Sequence, residues 1–280
     1  MRLVFFGTPD DAVPPLRALH EAGHDIALVV TQPNRRRGRG GAATPSPVRA
    51  AAEALGLPVR TPERAREVTD EVAASGAEVG VVVACGQLLP ESLFTAVPLG
   101  FVNLHFSLLP RWRGAAPVER AVLAGDAETG VCVMQIEKGL DTGDVYACVS
   151  TAIDPDETAG ELRQRLVALG TELLVATVPD LPTLTANPQV GEPTRADKLT
   201  VEEFELDFTH PPDELVRVVR AGNPRPGAWT TVDGRRLKIW RARVVDRRFE
   251  PLEVQPEGRA RMSGEAWQRG RRGESYEFGS

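Results

Sequence analysis

Five short apolar runs, RLVFFG, DIALVV, EVGVVV, GFVNLHF and TGVCVMQI, punctuate the first half of the chain, and most are followed by a segment of helical periodicity. The runs are nearly continuous instead of alternating, the pattern of strands buried on both faces, and the helices between them supply the cover. VPPLRALHEAG begins with prolines suited to a first helical turn and ends on Gly23, while SPVRAAAEALG, EVTDEVAASG and APVERAVLAG read as further helices. This order predicts an α/β fold: a Rossmann-like, mostly parallel sheet with helices on both faces. Ligands of such sheets sit beyond the carboxyl ends of the strands, so polar residues there are where chemistry is sought.

After a long amphipathic helix opened by Thr158 or Asp156, the stretch PTLTANPQVGEPTRADKLT is rich in Pro, Thr and other polar residues. It marks a linker at 181–200 between a first domain, 1–180, and a second, 201–280. The second begins with a short helix, HPPDELVRVVRAG, and continues as GAWTTVDGRRLKIWRARVV, two strands around an Asp233-Gly234 hairpin signal. WRARVVDRRFE then runs almost directly into PLEVQPEGRARM, so about three strands are recognisable in a small β-rich domain.

With 280 residues and 42% hydrophobic composition the chain can build a sizeable core, and no apolar run reaches the 18 residues of a membrane span. The N-terminus turns polar too early for a secretory signal, so a cytoplasmic protein without a membrane role is expected. Cys85, Cys132 and Cys148 are odd in number and lack metal-ligand spacing, and all three are expected to be reduced and buried. HEAGH, residues 20–24, matches a zinc-protease pattern, but Gly23 should end the helix before His24, and no metal is expected. The net charge of −6 conceals an asymmetry: from Arg217 onward there are 15 Lys/Arg against 8 Asp/Glu, leaving 18 against 31 in residues 1–216. Charge alone leaves open whether that basic end meets a polyanion or is a solvated surface.

The fourth run is polar where its neighbours are not. In NLHFS, side-chain alternation puts Asn103, His105 and Ser107 on one face and Leu104 and Phe106 on the other. Asp141 follows a neighbouring strand in the Gly-bounded turn EKGLDTGDV. Asn offers a neutral donor to a developing oxyanion, His a proton donor or relay, and Asp a partner that orients the His or a water. That set suits acyl transfer without a Ser or Cys nucleophile. RRRGRGG, residues 35–41, adds four arginines among glycines, a composition shared by mobile loops and by loops that hold phosphate.

Through FFGTPDDAVPPL, TQPNRRRGRGGAATPSPV, VVVACGQLLP, VNLHFSLLPRWRGAAPVERAVLAGDAETGV, MQIEKGLDTGDV and RAGNPRPGAWT, the sequence resembles the folate-dependent formyltransferases along nearly its whole length. The resemblance implies Asn103, His105 and Asp141 as the catalytic set and 10-formyltetrahydrofolate as formyl donor. It implies a donor site formed by Gln87, Leu88 and Leu89 with Ser107, Leu108, Leu109 and Pro110, Ser107 shaping its loop. The GRG…TPSPV loop and the NPRPGAWT segment are most similar to members that formylate the amino group of methionine carried by initiator tRNA, with Arg36, Arg37 and Arg39 meeting the tRNA. An amino-sugar nucleotide is the alternative acceptor, and a monomer is expected. Two departures stand out: Gly41 and Ala42 where lysines are usual, and Cys85 where Tyr is usual. The resemblance also implies an OB-like second domain, here shortened.

Overall fold

The computed structural model describes residues 1–36, 43–271 and 278. Its helices are α1 (Val13–Glu21), α2 (Pro47–Ala54), α3 (Thr69–Ala74), α4 (Glu91–Phe94), α5 (Pro117–Ala124), α6 (Ala159–Thr177), α7 (Pro212–Gly222) and α8 (Gly264–Gly270). Strands β1 (Arg2–Gly7), β2 (Asp25–Val30), β3 (Val59–Arg60), β4 (Val79–Val83), β5 (Phe101–His105), β6 (Glu128–Gln135) and β7 (Val145–Ala152) form one sheet in the order β7-β6-β5-β4-β1-β2-β3. Pairing is parallel from β5 through β4, β1 and β2 to β3, and antiparallel between β5 and β6. The β6–β7 edge is also antiparallel, with Gln135 N–H donating to the Asp144 carbonyl at one end and Ile153 N–H to the Ala127 carbonyl at the other.

The chain divides into two compact units. The first comprises Met1–Arg113, Gly130–Ser150 and Gln164–Thr194. Part of its core is Val4, Phe6, Leu28, Val30, Val82, Leu93 and Phe101, all buried. Phe101 stands edge-on to Phe6 with ring centroids 5.3 Å apart, and lies across Gly80, its register partner on β4. A Cβ at Gly80 would fall 2.4 Å from the Phe101 ring, so the bare backbone there is what lets β5 keep its first aromatic inside. Three residues further, Leu104 meets Gly170 of α6, where a Cβ would lie 2.9 Å from the leucine side chain. Leu104 therefore faces the helix, and alternation turns Asn103 and His105 to the other face of β5.

One expectation needs correction here. Cys132 and Cys148 are joined by a disulfide, with Cα atoms 4.2 Å apart on β6 and β7, whereas both were expected to be reduced. Their separation of 16 residues carries no register information; only the antiparallel pairing places them opposite one another. The stretch expected as a linker, 181–200, makes backbone contacts of its own. Val145 and Asn187 exchange both backbone hydrogen bonds, at 2.8 and 2.9 Å, and Thr194 bonds the Pro110 and Arg113 backbones, so residues up to Thr194 belong to the first unit. Its Pro- and Thr-rich composition reflects an extended segment without a hydrophobic period, not one without contacts.

The second unit comprises Gly114–Thr129, Thr151–Arg163 and Arg195–Ser280. In it β8 (Ala228–Val232), β9 (Arg235–Val245), β10 (Arg248–Pro256) and β11 (Met262–Ser263) form an antiparallel meander in sequence order. Asp233 and Gly234 link β8 to β9 with φ of 51° and 71°, the left-handed pair that a two-residue hairpin favours. Where three strands are legible in the sequence, the described residues form four, the last only two residues long, in an open sheet. Leu215 and Val219 of α7 share a core with Leu206, Leu237, Ile239 and Val254, which gives this small sheet a covered face. Thr158 caps α6 in a reciprocal box: its hydroxyl accepts from Glu161 N–H at 3.3 Å, and the Glu161 carboxylate accepts from Thr158 N–H at 2.8 Å. Among the described residues, no helix is long and apolar enough to cross a membrane.

Replacing Gly80 by Ala is expected to lower stability by about 1–3 kcal/mol, because an added Cβ must displace an aromatic ring packed on both sides. The check is urea denaturation; an unchanged midpoint would show that Phe101 has room to move.

Candidate active site

β5 ends at His105, whose ring is 5% exposed. Its Nε2 lies 2.9 Å from the Trp112 carbonyl oxygen, which can only accept, so a proton sits on Nε2 in that bond. Nδ1 then faces the Asp141 carboxylate at 3.7 Å, with Asp141 itself only 15% exposed. Sequence alternation already placed Asn103 on the face of His105, and the register sets it between Val82 and Met134 of the flanking strands. Asn103 is half-buried, and its carboxamide has no hydrogen-bond partner among the described residues. A neutral donor is thereby left available beside an imidazole backed by a carboxylate.

The segment after β5 holds the Trp112 carbonyl in place. Ser107 is fully buried and its hydroxyl donates to the Arg111 carbonyl at 2.6 Å, while Arg111 N–H donates to the Leu108 carbonyl at 3.0 Å. Ser107 therefore lies past the strand and shapes the turn. Leu108 packs against Gly130 of β6, Pro110 is buried, and Leu109–Pro110 is a cis peptide. Trp112 N–H donates to the Thr194 hydroxyl at 2.8 Å. The turn that carries Asp141 is fixed by a residue not foreseen from the sequence. Gln189 donates from Nε2 to the carbonyls of Asp141 at 2.9 Å and Gly143 at 2.7 Å, and accepts at Oε1 from Arg113 Nε at 3.0 Å and Nη2 at 2.7 Å. Nothing in its local sequence, ANPQVG, signals this, because the contacts span more than 40 residues.

Residues 1–178 match the model of the formyl transferase family, and residues 198–251 match that of the formyl transferase C-terminal domain. The chain belongs to the formyl transferase family. The methionyl-tRNA formyltransferase of Roseobacter denitrificans is 48% identical over 264 residues, covering 91% of this chain and 87% of that one. Among solved structures, a methionyl-tRNA formyltransferase from Clostridium thermocellum matches with a TM-score of 0.63 at 15% identity, covering 91% of this chain and 98% of that chain. An N-formyltransferase from Helicobacter canadensis, in complex with folinic acid and dTDP-3-aminofucose, matches with 0.64 at 17% identity, covering 87% of this chain and 88% of that chain. At such identities the two structures show a shared fold.

In this formyl transferase the loop after β4 turns away from the sheet at Ala84 and Gly86, with φ of 46° and 73°. The Cys85 carbonyl is the node that holds it, accepting from the Thr8 hydroxyl at 2.9 Å and from Gln32 Nε2 at 3.0 Å, so the ends of β1, β2 and β4 are tied at one atom. Gln87 donates to the Pro62 carbonyl at 3.2 Å, while its Oε1 is buried without a hydrogen-bond partner among the described residues. Leu88 is 87% exposed and Leu89 packs on the core. A cavity of about 410 Å³ lined by Asp10, Arg17, Pro47 and Ala51 includes none of these site residues.

Arg35 and Arg36 pair with Ala43 and Thr44 as a short hairpin, but Arg37 and Arg39 lie outside the described residues, as does the Arg36 side chain. HEAGH is split as its Gly23 implies: α1 ends at Glu21, and His24 lies beyond it beside the N-terminal amine, 3.4 Å away.

Burial pushes the Cys85 thiol up from 9.0 to about 11, so it is a neutral core group at physiological pH. Above pH 9.0 the unfolded chain gives up this proton while the folded chain holds it, so stability present below 9.0 is lost as pH rises toward about 11. The stability difference between the parent and Cys85→Ala should shift by about 1.4 kcal/mol per pH unit across that window. Parallel pH profiles of the two proteins would show that the thiol is not buried.

Proposed function

We propose that this chain transfers the formyl group of 10-formyltetrahydrofolate to the amino group of methionyl-initiator tRNA, for translation initiation. The observation that carries the chemistry is His105 against Asp141 at 3.7 Å beside the unengaged carboxamide of Asn103. The acceptor is argued from relatives such as the 48% identical enzyme, which spans 91% of this chain.

The donor is a folate, and the residues fit one. Gln87 Oε1, buried and unpartnered, offers an acceptor to the N–H edge of a pteridine, and Leu88 and Leu89 offer apolar surface next to it. Gln87 to Leu89 and Ser107 to Pro110 would hold it. At the reacting centre, Asn103 donates to the formyl oxygen as negative charge develops there, and the His105 ring supplies a second donor once protonated. As the amine forms its new bond to the formyl carbon, Asp141 receives, directly or through a water, the proton that the amine must lose, and the bond from that carbon to N10 of the folate breaks as N10 takes up a proton, leaving tetrahydrofolate. No covalent bond to the protein is required. Arg36, Arg37 and Arg39 would meet tRNA phosphates, with the basic second unit adding charge. Such an enzyme works in the cytoplasm, and asks for no metal, no membrane and no second copy.

The test is single-turnover formylation of charged initiator tRNA, run beside uncharged tRNA and an amino-sugar nucleotide. Product on the charged tRNA alone is expected, and product on the sugar alone would move the acceptor while keeping the chemistry. His105→Ala and Asp141→Ala should each slow transfer by on the order of 100-fold or more. Rates within a few-fold of the parent would remove both from the reaction.

A further inference from the structure

We propose that Gln189 is a positioning residue for formyl transfer, holding the Asp141 turn so that its carboxylate faces His105. The inference rests on the reading of His105 and Asp141 as the reacting pair, and it adds a residue outside that pair. Gln189 Nε2 divides its two protons between the Asp141 and Gly143 carbonyls, at 2.9 and 2.7 Å, and Oε1 accepts two bonds from Arg113. Four bonds to one planar group fix both its plane and its distance from the turn.

The turn needs such a restraint. Asp141 has φ of 52°, a left-handed conformation sparsely populated by residues with a Cβ, Asp less so than most, and one that its surroundings help to hold. Arg113, on the other side of the amide, follows Trp112, whose carbonyl orients the His105 ring at 2.9 Å. One carboxamide thus joins the segment that aims the imidazole to the turn that aims the carboxylate. The chemistry selects glutamine. A glutamate has no N–H to offer the two carbonyls and would set a charged oxygen against them, and an asparagine is one methylene short of a group already in contact on both sides.

The test is a double-mutant cycle with Gln189→Glu, Asp141→Asn and the pair, using 10-formyltetrahydrofolate and charged initiator tRNA. Gln189→Glu should lower kcat by about 10- to 100-fold, the scale of a 1 Å misplacement of a reacting group, with KM for both substrates within about two-fold. In the Asp141→Asn background the second substitution should cost nothing more, because the carboxylate it positions is gone. A kcat near the parent's, or losses that multiply in the double variant, would overturn the proposal. Should Gln189→Glu fail to fold, the uncharged Gln189→Met takes its place.

A second arm needs no turnover and so separates this proposal from the choice of acceptor. A crystal structure of the Gln189 variant should show the Asp141 carboxylate displaced from Nδ1 by about 1 Å or more, a shift large enough to matter for reactivity. An Asp141 that stays in place would overturn the proposal even if charged tRNA proves to be the substrate. A parent that formylates only a different amine would overturn the acceptor and leave the displacement to decide on Gln189.

Discussion

An imidazole at 5% exposure must have both ring nitrogens answered, since a buried polar atom left without a partner costs about 1–3 kcal/mol. The Trp112 carbonyl answers Nε2 at 2.9 Å, and the Asp141 carboxylate faces Nδ1 at 3.7 Å. Much of the first unit follows from placing those two partners. The first requires the chain to reverse direction within seven residues of His105, which the buried Ser107 hydroxyl enforces by gripping the Arg111 carbonyl. The second requires a turn after β6 with a left-handed Asp, which Gln189 grips through two carbonyls. The asymmetry between the contacts is chemically useful. A backbone carbonyl at hydrogen-bond distance fixes the ring's orientation, whereas a carboxylate at 3.7 Å lies just beyond hydrogen-bond distance and is not locked to the ring.

The sheet then decides which face of β5 carries this chemistry. Leu104 against Gly170 and Phe101 across Gly80 are both close enough to exclude a Cβ, so β5 is locked against rotation about its own axis at two points. A slip of one residue would bury Asn103 and His105 against α6 and expose Leu104. Neither glycine lies in a turn, and both have ordinary strand or helix surroundings. Their role is to admit a neighbour, not to bend the chain.

How much of this was legible in the sequence depends on the range of the physics. The strands β1, β2, β4, β5 and β6 announce themselves as apolar runs, and the Asp233-Gly234 hairpin does so through local backbone preference. Asn103 and His105 could be placed on one face because alternation is a property of a single strand. The two-residue β3 and β11 are too short to show a period, and α8 follows a Ser263 cap whose signal is weak without its tertiary setting. What remained invisible was non-local: the pairing of Cys132 with Cys148 depends on strand register, and Gln189 reaches Asp141 across 48 residues. Both lie in stretches whose composition pointed the other way, to reduced thiols and to a linker.

The basic end of the chain illustrates the same limit in electrostatics. Its surplus of 7 positive charges is correct as a count, yet several of those cations are engaged within the second unit. Arg243 pairs with Glu250 at 3.1 Å, Arg271 with Asp233 at 2.8 Å, and Arg241 with Glu161, whose carboxyl is held below its ordinary value first by the Thr158 backbone and also by that arginine. Arg236 is held differently, 3.8 Å over the Trp229 ring, while Arg261 lies both 3.7 Å over Trp240 and 3.8 Å from the Glu253 carboxylate. A guanidinium stacked on an aromatic face keeps its charge and presents its N–H edge outward, whereas one paired with a carboxylate has its charge locally compensated. The two groups should therefore differ in what they offer a polyanion. On the proposed function, Arg236 is the one whose geometry suits phosphate, and the paired arginines hold the open meander together.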